Sequence, residues 1–561
     1  MAHAALASSV GLLSFHRVSG GGSNWAKLIP GFSRKPGTGL SFSRSSQRKG
    51  CRFVASGAMG IDGGVAEVSE GEKTPTTYSW PDKKFYRRNL SLQRPRVCIL
   101  GGGFGGLYTA LRLESLVWPD SKKPQVLLVD QSERFVFKPM LYELLSGEVE
   151  EWEIAPRFTD LLASTGVQFF QDRVKLLHPL DHLGINAPPG SGFGGTVQLE
   201  SGLFVEYDWL VLALGAESKL DVVPGAAEYA LPFSTLEDAL KVDNKLKALE
   251  RRNFGKGSEI RVAVVGCGYS GVELAATISE RLRERGIVTA INVETTICPT
   301  APPGNREAAM KVLSSRKVQL LLGYFVRNIR QSSDAEDSFY SGGNSEVPEM
   351  QKERGPAKGF AAEDDVEKFI LELQPAQRGL QSQNLEADLV LWTVGSKPSL
   401  PDLEPRDKRH ELPLTARGQA ETDETLRVKG HPRIFSLGDS SALRDSDGKI
   451  LPATAQVAFQ QADFTGWNLW AAINDRPLLP FRFQNLGEMM TLGRNDAAIS
   501  PSFIDGLTLE GPVGHAARKF AYLIRFPTDE HRIKVGISWL AKSAIDSVAS
   551  LQSTLMRVLS G

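Results

Sequence analysis

Cysteine is scarce and scattered: four residues in 561 (Cys51, Cys98, Cys267, Cys298), with no CxxC pair and no spacing that would gather metal ligands. No metal site is expected. Cys98 and Cys267 lie in or beside apolar runs and read as buried, inert thiols. No stretch approaches 18 uninterrupted apolar residues, so no segment is expected to span a membrane, and any membrane contact would be peripheral. Acidic residues are missing from 1–61, which carry eight Lys/Arg; because the whole chain balances 65 bases with 65 acids, the remainder is net acidic. An acidic body excludes a nucleic-acid partner.

The first 55 or so residues, rich in Ser, Gly and Arg and without periodicity, read as an organelle transit peptide (1–55). The Met-Ala start and the segment Cys51-Arg52-Phe53-Val54-Ala55 point to a plastid, with a mitochondrion as the alternative. Residues 56–94 read as a linker.

Two passages carry the same order of events. Arg96-Val97-Cys98-Ile99-Leu100 is a short apolar strand, Gly101-Gly102-Gly103-Phe104-Gly105-Gly106 a glycine turn, and a helix and a second strand ending at Asp130 follow. Further on, 260–265 is a strand, Gly266-Cys267-Gly268-Tyr269-Ser270-Gly271 a glycine turn, 272–285 a helix, and 290–293 a strand that ends at Glu294. In each, the first glycine makes the tight turn, the second lets backbone approach a pyrophosphate, and the third lets helix and strand close up. The pyrophosphate then faces the free N–H groups and the positive end of the helix dipole. Asp130 and Glu294 are placed to accept hydrogen bonds from a ribose. A carboxylate at Glu294 favours NADH over NADPH, whereas Thr295 and Thr296 beside it are able to turn toward a 2′-phosphate, so the nicotinamide remains NAD(P)H.

Three further segments complete a pattern. Tyr207-Asp208-Trp209-Leu210-Val211-Leu212-Ala213-Leu214-Gly215 and Leu391-Trp392-Thr393-Val394-Gly395 each pair a strand with an ATG-like turn, and Ile434-Phe435-Ser436-Leu437-Gly438-Asp439 ends on an aspartate. Together these motifs resemble the glutathione-reductase-like superfamily of two-dinucleotide flavoproteins. The resemblance implies an α/β fold of two Rossmann-like dinucleotide-binding domains plus a C-terminal α+β region with an amphipathic helix. It implies non-covalent FAD, NADH or NADPH as substrate, and cofactor contacts from Gly101, Gly103, Phe104, Gly106, Asp130, Lys138, Gly215, Gly266, Gly268, Tyr269, Gly271, Glu294, Gly395, Asp439 and Ala455. The domains expected are 95–256 and 399–480 for FAD, 257–398 for NAD(P)H with a loop inserted at 331–365, and 481–561 at the C-terminus.

Where disulfide reductases carry a redox Cys pair, this chain has Phe135-Val136-Phe137-Lys138-Pro139-Met140-Leu141-Tyr142. The segment Pro452-Ala453-Thr454-Ala455-Gln456-Val457-Ala458-Phe459-Gln460-Gln461 resembles the quinone-site helix of type II NAD(P)H–quinone oxidoreductases. Spacing i, i+4 puts Gln456 and Gln460 on one helix face, where two neutral amides can donate to a quinone carbonyl. The matching position for a proton-delivering carboxyl is Glu273, whose plain alternative is a helix-terminal acid stabilised by the dipole. Asn485-Leu486-Gly487-Glu488-Met489-Met490-Thr491-Leu492-Gly493 and Gly536-Ile537-Ser538-Trp539-Leu540 are similar to the plant C-type enzymes of that family and their cyanobacterial relatives. There is no EF-hand insertion.

This implies a non-proton-pumping, two-electron transfer from NAD(P)H through FAD to a membrane prenylquinone (plastoquinone, a naphthoquinone or ubiquinone). The alternatives are a ferredoxin-reductase-like flavoprotein with a protein acceptor and a non-catalytic NAD(P)H-binding redox sensor. After Arg482, segments 521–526 and 532–537 alternate like strands. A helix over 543–559 then carries Ile545, Val548, Leu551, Leu555 and Val558 as an apolar stripe, with Lys534, Lys542 and Arg557 flanking it. The partners expected for that stripe are one lipid leaflet or a lipid-droplet surface, with docking on the protein's own body as the alternative; a homodimer is a further partner considered.

Overall fold

The computed structural model describes residues 85–86, 94–119, 121–180, 194–255, 257–332, 368–376, 379, 381–403 and 411–560, the last with side chains up to residue 545. The transit-peptide reading, most of the linker, most of the inserted loop, and the stripe beyond Ile545 lie outside the described residues. One part of the linker is ordered: Phe85–Tyr86 is a strand paired in parallel with Phe204–Tyr207.

Two five-stranded parallel sheets share the order of four strands and differ in where the chain supplies the fifth. In the first the order is Ile434–Ser436, Trp209–Leu212, Arg96–Leu100, Gln125–Asp130, Gln168–Gln171. In the second it is Ala230–Pro232, Leu389–Trp392, Ile260–Val265, Gly286–Asn292, Gln319–Leu322. The strand before each glycine turn is central and, past an arginine near its start, apolar, as expected for strands covered on both faces; Val97, Cys98, Ile99 and Leu100 are wholly buried. The first sheet draws its outer strand from residues 434–436, so the chain leaves this body for the second and returns. The strand Ala230–Pro232 is hydrogen-bonded in the second sheet, so that sheet takes strands from both sides of position 257. Backbone pairing, invisible to local composition, sets this limit. An antiparallel pair, Ala216–Ser218 with Ser396–Pro398, carries both crossings between the bodies.

The C-terminal region holds a three-stranded antiparallel sheet, Glu488–Thr491, Ala497–Ser500 and Leu509–Glu510. Two helices follow, Gly511–Arg525 and Asp529–Ser560. The strands expected at 521–526 and 532–537 are therefore helical. Six alternating residues fit a period of 2 but also sample the i, i+3, i+4 stripe of a helix. The deciding signals are at the ends: Pro512 at a helix start, and Thr528, whose Oγ1 accepts from His531 N (3.3 Å), before Asp529 and Glu530 in the first turn.

Candidate functional site

The glycines of the first turn differ in what demands them. Gly101 has φ +96°, donates its N–H to Val129 O (2.8 Å), and a Cβ there would lie 2.3 Å from Ala213 O. A Cβ on Gly106 would fall 1.7 Å from Gly101 O. Those two are fixed by the chain's own packing. Gly103 is not: a Cβ there meets no heavy atom within 4 Å, so the backbone of this turn is open to the close approach of a ligand. The second turn repeats the division. Gly266 (φ +102°) donates to Ile291 O (2.8 Å), a Cβ on Gly271 would lie 1.8 Å from Gly266 O, and Gly268 again faces open space. Gly103 and Gly268 precede the helices Phe104–Ser115 and Tyr269–Leu282, neither of which has a side-chain N-cap. Each helix therefore offers uncapped N–H groups to an anion. The turns at Gly215 (φ +74°) and Gly395 (φ +76°) follow the paired return strands in the two bodies.

Asp130 ends its strand with both carboxylate oxygens accepting backbone N–H groups, from Gly102 (2.5 Å) and Ser132 (2.7 Å). Burial pushes this carboxyl up, and the two N–H donors and Lys138 oppose the shift. The equivalent residue in the second body is Asn292, not Glu294. Val129 and Ile291 are register equivalents through Gly101 and Gly266, and Asn292 Oδ1 accepts from Cys267 N (3.3 Å) as Asp130 does from Gly102 N. Glu294 lies two residues past the strand end, exposed. The strand thus ends two residues earlier than its sequence suggested, at the point the hydrogen-bond register sets. Lys138, exposed in the short turn Lys138–Met140, lies in the field of both Asp130 and Asp439, and Asp439 sits in the turn Gly438–Ser440 with burial pushing its carboxyl up. Phe104 packs edge-on to Phe135 (5.5 Å) and Phe137 (5.2 Å).

Glu273, on the second turn's helix, is buried. Burial pushes its carboxyl from an ordinary 4.5 up to about 8, against a hydrogen bond from Thr491 N (2.9 Å) and another from Tyr142. The Tyr142 hydroxyl also lies 2.9 Å from Ser270 Oγ, which can donate to it. At neutral pH this carboxyl is protonated, a proton donor in an apolar setting. Tyr269 reaches Glu488 of the C-terminal sheet. The thiols of Cys98, Cys267 and Cys298 are pushed up by burial to about 12 and are poor nucleophiles.

The helix Ala455–Ile473, capped by Thr454 Oγ1 accepting from Val457 N (3.2 Å), packs against Phe104–Ser115. Its two glutamines share a face, as the spacing requires, but both amides are engaged. Gln456 donates to Gly487 O (3.0 Å) and accepts from Leu486 N (3.0 Å); Gln460 donates to Gln484 O (2.8 Å) and accepts from Gln484 N (3.0 Å). Each side chain imitates a strand partner and fastens the segment 484–487 to the helix. The donor role expected for them is thus left to the second amide hydrogen of each. Gln461, not singled out in the sequence, is buried and accepts from Gly438 N (2.7 Å), tying this helix to the Asp439 turn. Asn292, Tyr142, Thr491 and Gln461 were all missed. Only Asn292 had a local signal, its place at the strand end.

Residues 95–462 match the model of the pyridine nucleotide-disulphide oxidoreductase family. The chain is 67% identical over 529 residues to an alternative NAD(P)H-ubiquinone oxidoreductase C1, chloroplastic/mitochondrial, of Arabidopsis thaliana, covering 94% of this chain and 95% of that one. It is 41% identical over 449 residues to a demethylphylloquinone reductase of Synechocystis, covering 80% and 96%. In fold it is similar to the structure of NDH2 from Plasmodium falciparum in complex with NADH, with a TM-score of 0.61 at 17% identity over 80% of this chain and 98% of that one.

Proposed function

The chain belongs to the pyridine nucleotide-disulphide oxidoreductase family, and from that footing we propose that it is an FAD-dependent NAD(P)H:quinone oxidoreductase whose acceptor is a lipid-soluble prenylquinone. The observation that carries this reading is the pair of matched cradles, in which Gly103 and Gly268 leave space that the chain's own atoms do not use. The residues fit the nucleotides: uncapped helix N-termini for the pyrophosphates, Asp130 for the first ribose, and Lys138 and Asp439 along the first cleft. FAD held in the first cleft would supply the two-electron redox chemistry that links a nicotinamide donor to a quinone acceptor. The chain's residues align the partners, which supplies much of the rate. They also keep water from the junction and hold a proton on Glu273.

Asn292 supports use of NADPH as well as NADH, because a neutral amide at the ribose position does not repel a 2′-phosphate. A plastid location, with a mitochondrion as alternative, is supported by the acid-free leader and by the name of the Arabidopsis relative.

A lipid surface as the source of the quinone is supported by the last helix. Its polar face is turned inward: Ser538 Oγ (2.6 Å) and Lys542 Nζ (3.0 Å) reach the buried Glu153 carboxylate, and His531 Nε2 lies 2.8 Å from Glu153 O. Ile533, Ile537, Leu540 and Ile545 are exposed, as are Val513 and Phe520 of the preceding helix. Lys542 is thereby committed to Glu150 and Glu153 rather than to lipid headgroups. This apolar face disfavours a ferredoxin-like acceptor, which would dock through charge.

The test is a steady-state assay of the FAD-loaded protein with NADH and NADPH against short-chain plasto-, naphtho- and ubiquinones. Turnover with a quinone at rates well above the oxidase background supports the reading. A yellow protein that oxidises NAD(P)H only with a small iron–sulfur acceptor refutes it. Flotation with galactolipid vesicles tests the lipid surface: Ile537→Asp plus Leu540→Asp should stay unbound while keeping turnover of water-soluble quinones.

A further inference from the structure

Quinone reduction has a proton balance that the site described so far does not close. Hydride from NAD(P)H brings two electrons and one proton, while the quinol gains two protons; one more must come from solvent in every cycle. Glu273 is able to give that proton to the quinone oxygen, but it is buried and must then be reprotonated. The groups facing it are Tyr142, Tyr522 and the Cys298 thiol, with the Thr491 N–H and Ser270 alongside.

Behind Tyr142 and Tyr522 lies an ion pair with no evident packing purpose. Arg518, on the helix Gly511–Arg525, reaches Glu143 on the helix Leu141–Ser146, and the two side chains are 0% and 1% exposed. Burying such a pair costs desolvation that its attraction repays poorly, so an apolar pair of like volume would serve stability as well or better. The Arg518 guanidinium lies 5.0 Å over the Tyr522 ring, one turn on. Four buried polar atoms along this row have no protein partner in hydrogen-bond geometry: Arg518 Nε and Nη1, Glu143 Oε2 and His515 Nδ1. Buried groups of this kind are bridged by ordered water, which needs two to four polar partners in reach. The row continues outward. The Ser146 hydroxyl, within reach of the Glu143 backbone carbonyl (3.2 Å), is also 3.3 Å from Glu148 Oε2 and can donate to either, and Glu148 Oε1 lies 3.3 Å from His515 Nε2 and 3.4 Å from Lys519 Nζ. Lys519 is partly exposed and closes the row at the surface.

We propose that this row (Lys519, His515 and Glu148 outermost, then the Arg518–Glu143 pair, then Tyr522 and Tyr142) is the route by which solvent protons reach Glu273 during quinone reduction. It rests on the quinone-reductase reading. Arg518 and Glu143 touch neither nucleotide nor quinone in this scheme and act as positioning residues, holding bridging waters in line. The proton gained at the surface and the proton lost from Glu273 balance one for one, and the electrons travel by the separate nucleotide path.

The test uses the FAD-loaded full chain and two variants, Glu143→Gln and the volume-matched pair Glu143→Leu plus Arg518→Met, the second kept in case the first leaves an unpaired arginine and fails to fold. Bleaching of the flavin absorbance by NAD(P)H should stay within twofold of wild type. Quinone turnover should fall at least tenfold, with a raised solvent deuterium isotope effect and partial, concentration-dependent rescue by formate. In the resting protein, the infrared carbonyl band of the protonated Glu273 should shift into D2O at least tenfold more slowly than in wild type. Unchanged turnover and exchange overturn the route. So does slow turnover with no isotope effect and no formate rescue, which marks structural damage alone. If the wild-type enzyme reduces no quinone, the functional reading itself falls, and the route falls with it.

Discussion

Replacing Glu273 by glutamine isolates one physical effect, the burial of a titrating group. The amide keeps an acceptor for Thr491 N and nearly the same volume, but it has no charged form. In the native chain, burial pushes the carboxyl from 4.5 up to about 8. A carboxyl whose folded value is raised favours folding most where it is protonated. Its contribution is fully present below the unfolded value and is lost as pH rises through the folded one. At about 1.4 kcal/mol for each tenfold change in proton affinity, the gap corresponds to about 5 kcal/mol at most, developing between pH 4.5 and about 8. Wild type and Glu273→Gln should therefore unfold at similar denaturant concentrations at pH 4.5, and the variant should become progressively the more stable toward pH 9. A chain with several bodies need not unfold in two states, so the quantity to compare is the difference between the two proteins at each pH rather than either absolute free energy. Wild-type quinone turnover should meanwhile decline above pH 8 as the donor form is lost, and the variant should be slow throughout. A stability difference that does not change with pH would refute the claim that burial holds this carboxyl protonated.

The glycines give a sharper contrast. Gly106→Ala should prevent folding or destabilise it by several kcal/mol, since its Cβ falls 1.7 Å from Gly101 O, whereas Gly103→Val should leave the apoprotein's thermal stability within a few degrees and abolish retention of FAD on gel filtration. Asn292→Asp should shift the ratio of kcat/KM for NADH over NADPH at least tenfold toward NADH, and the reverse change of charge at exposed Glu294 (Glu294→Gln) should shift it less than threefold in either direction. For Gln456→Leu plus Gln460→Leu, four side-chain-to-backbone bonds at about 0.5–1.5 kcal/mol each are lost, and flavin bleaching by NAD(P)H should persist while quinone turnover falls at least tenfold. Because both amides fasten 484–487, Gln→Glu at either position, which keeps the acceptor and removes the donor, should give an intermediate loss; full activity in the double leucine variant would remove this face from the reaction.

Much of the fold was legible locally. Glycine turns between apolar strands and helices need no distant partner to be recognised, because conformational freedom and close approach are demands made within a dozen residues. The return strands at 209–212 and 389–392 and the strand before the turn at Asp439 were equally plain, each a short, largely buried run with a glycine two or three residues beyond its end. The two C-terminal helices were not. Six alternating residues satisfy two periods at once, and Pro512 and Thr528 speak only to their own helix starts.

By itself the sequence determined that two dinucleotide cradles exist, which glycines form them, and that no cysteine relay stands between them. Only the tertiary structure decided that Asn292 rather than Glu294 occupies the register position of Asp130, that Gln456 and Gln460 are tied to backbone, and that Glu143 and Arg518, 375 residues apart, meet in the interior behind Glu273. The physical reason is one of range. Backbone conformation is set by neighbours in sequence, whereas hydrogen-bond register, burial and the proton affinity that burial imposes depend on whatever the fold brings alongside.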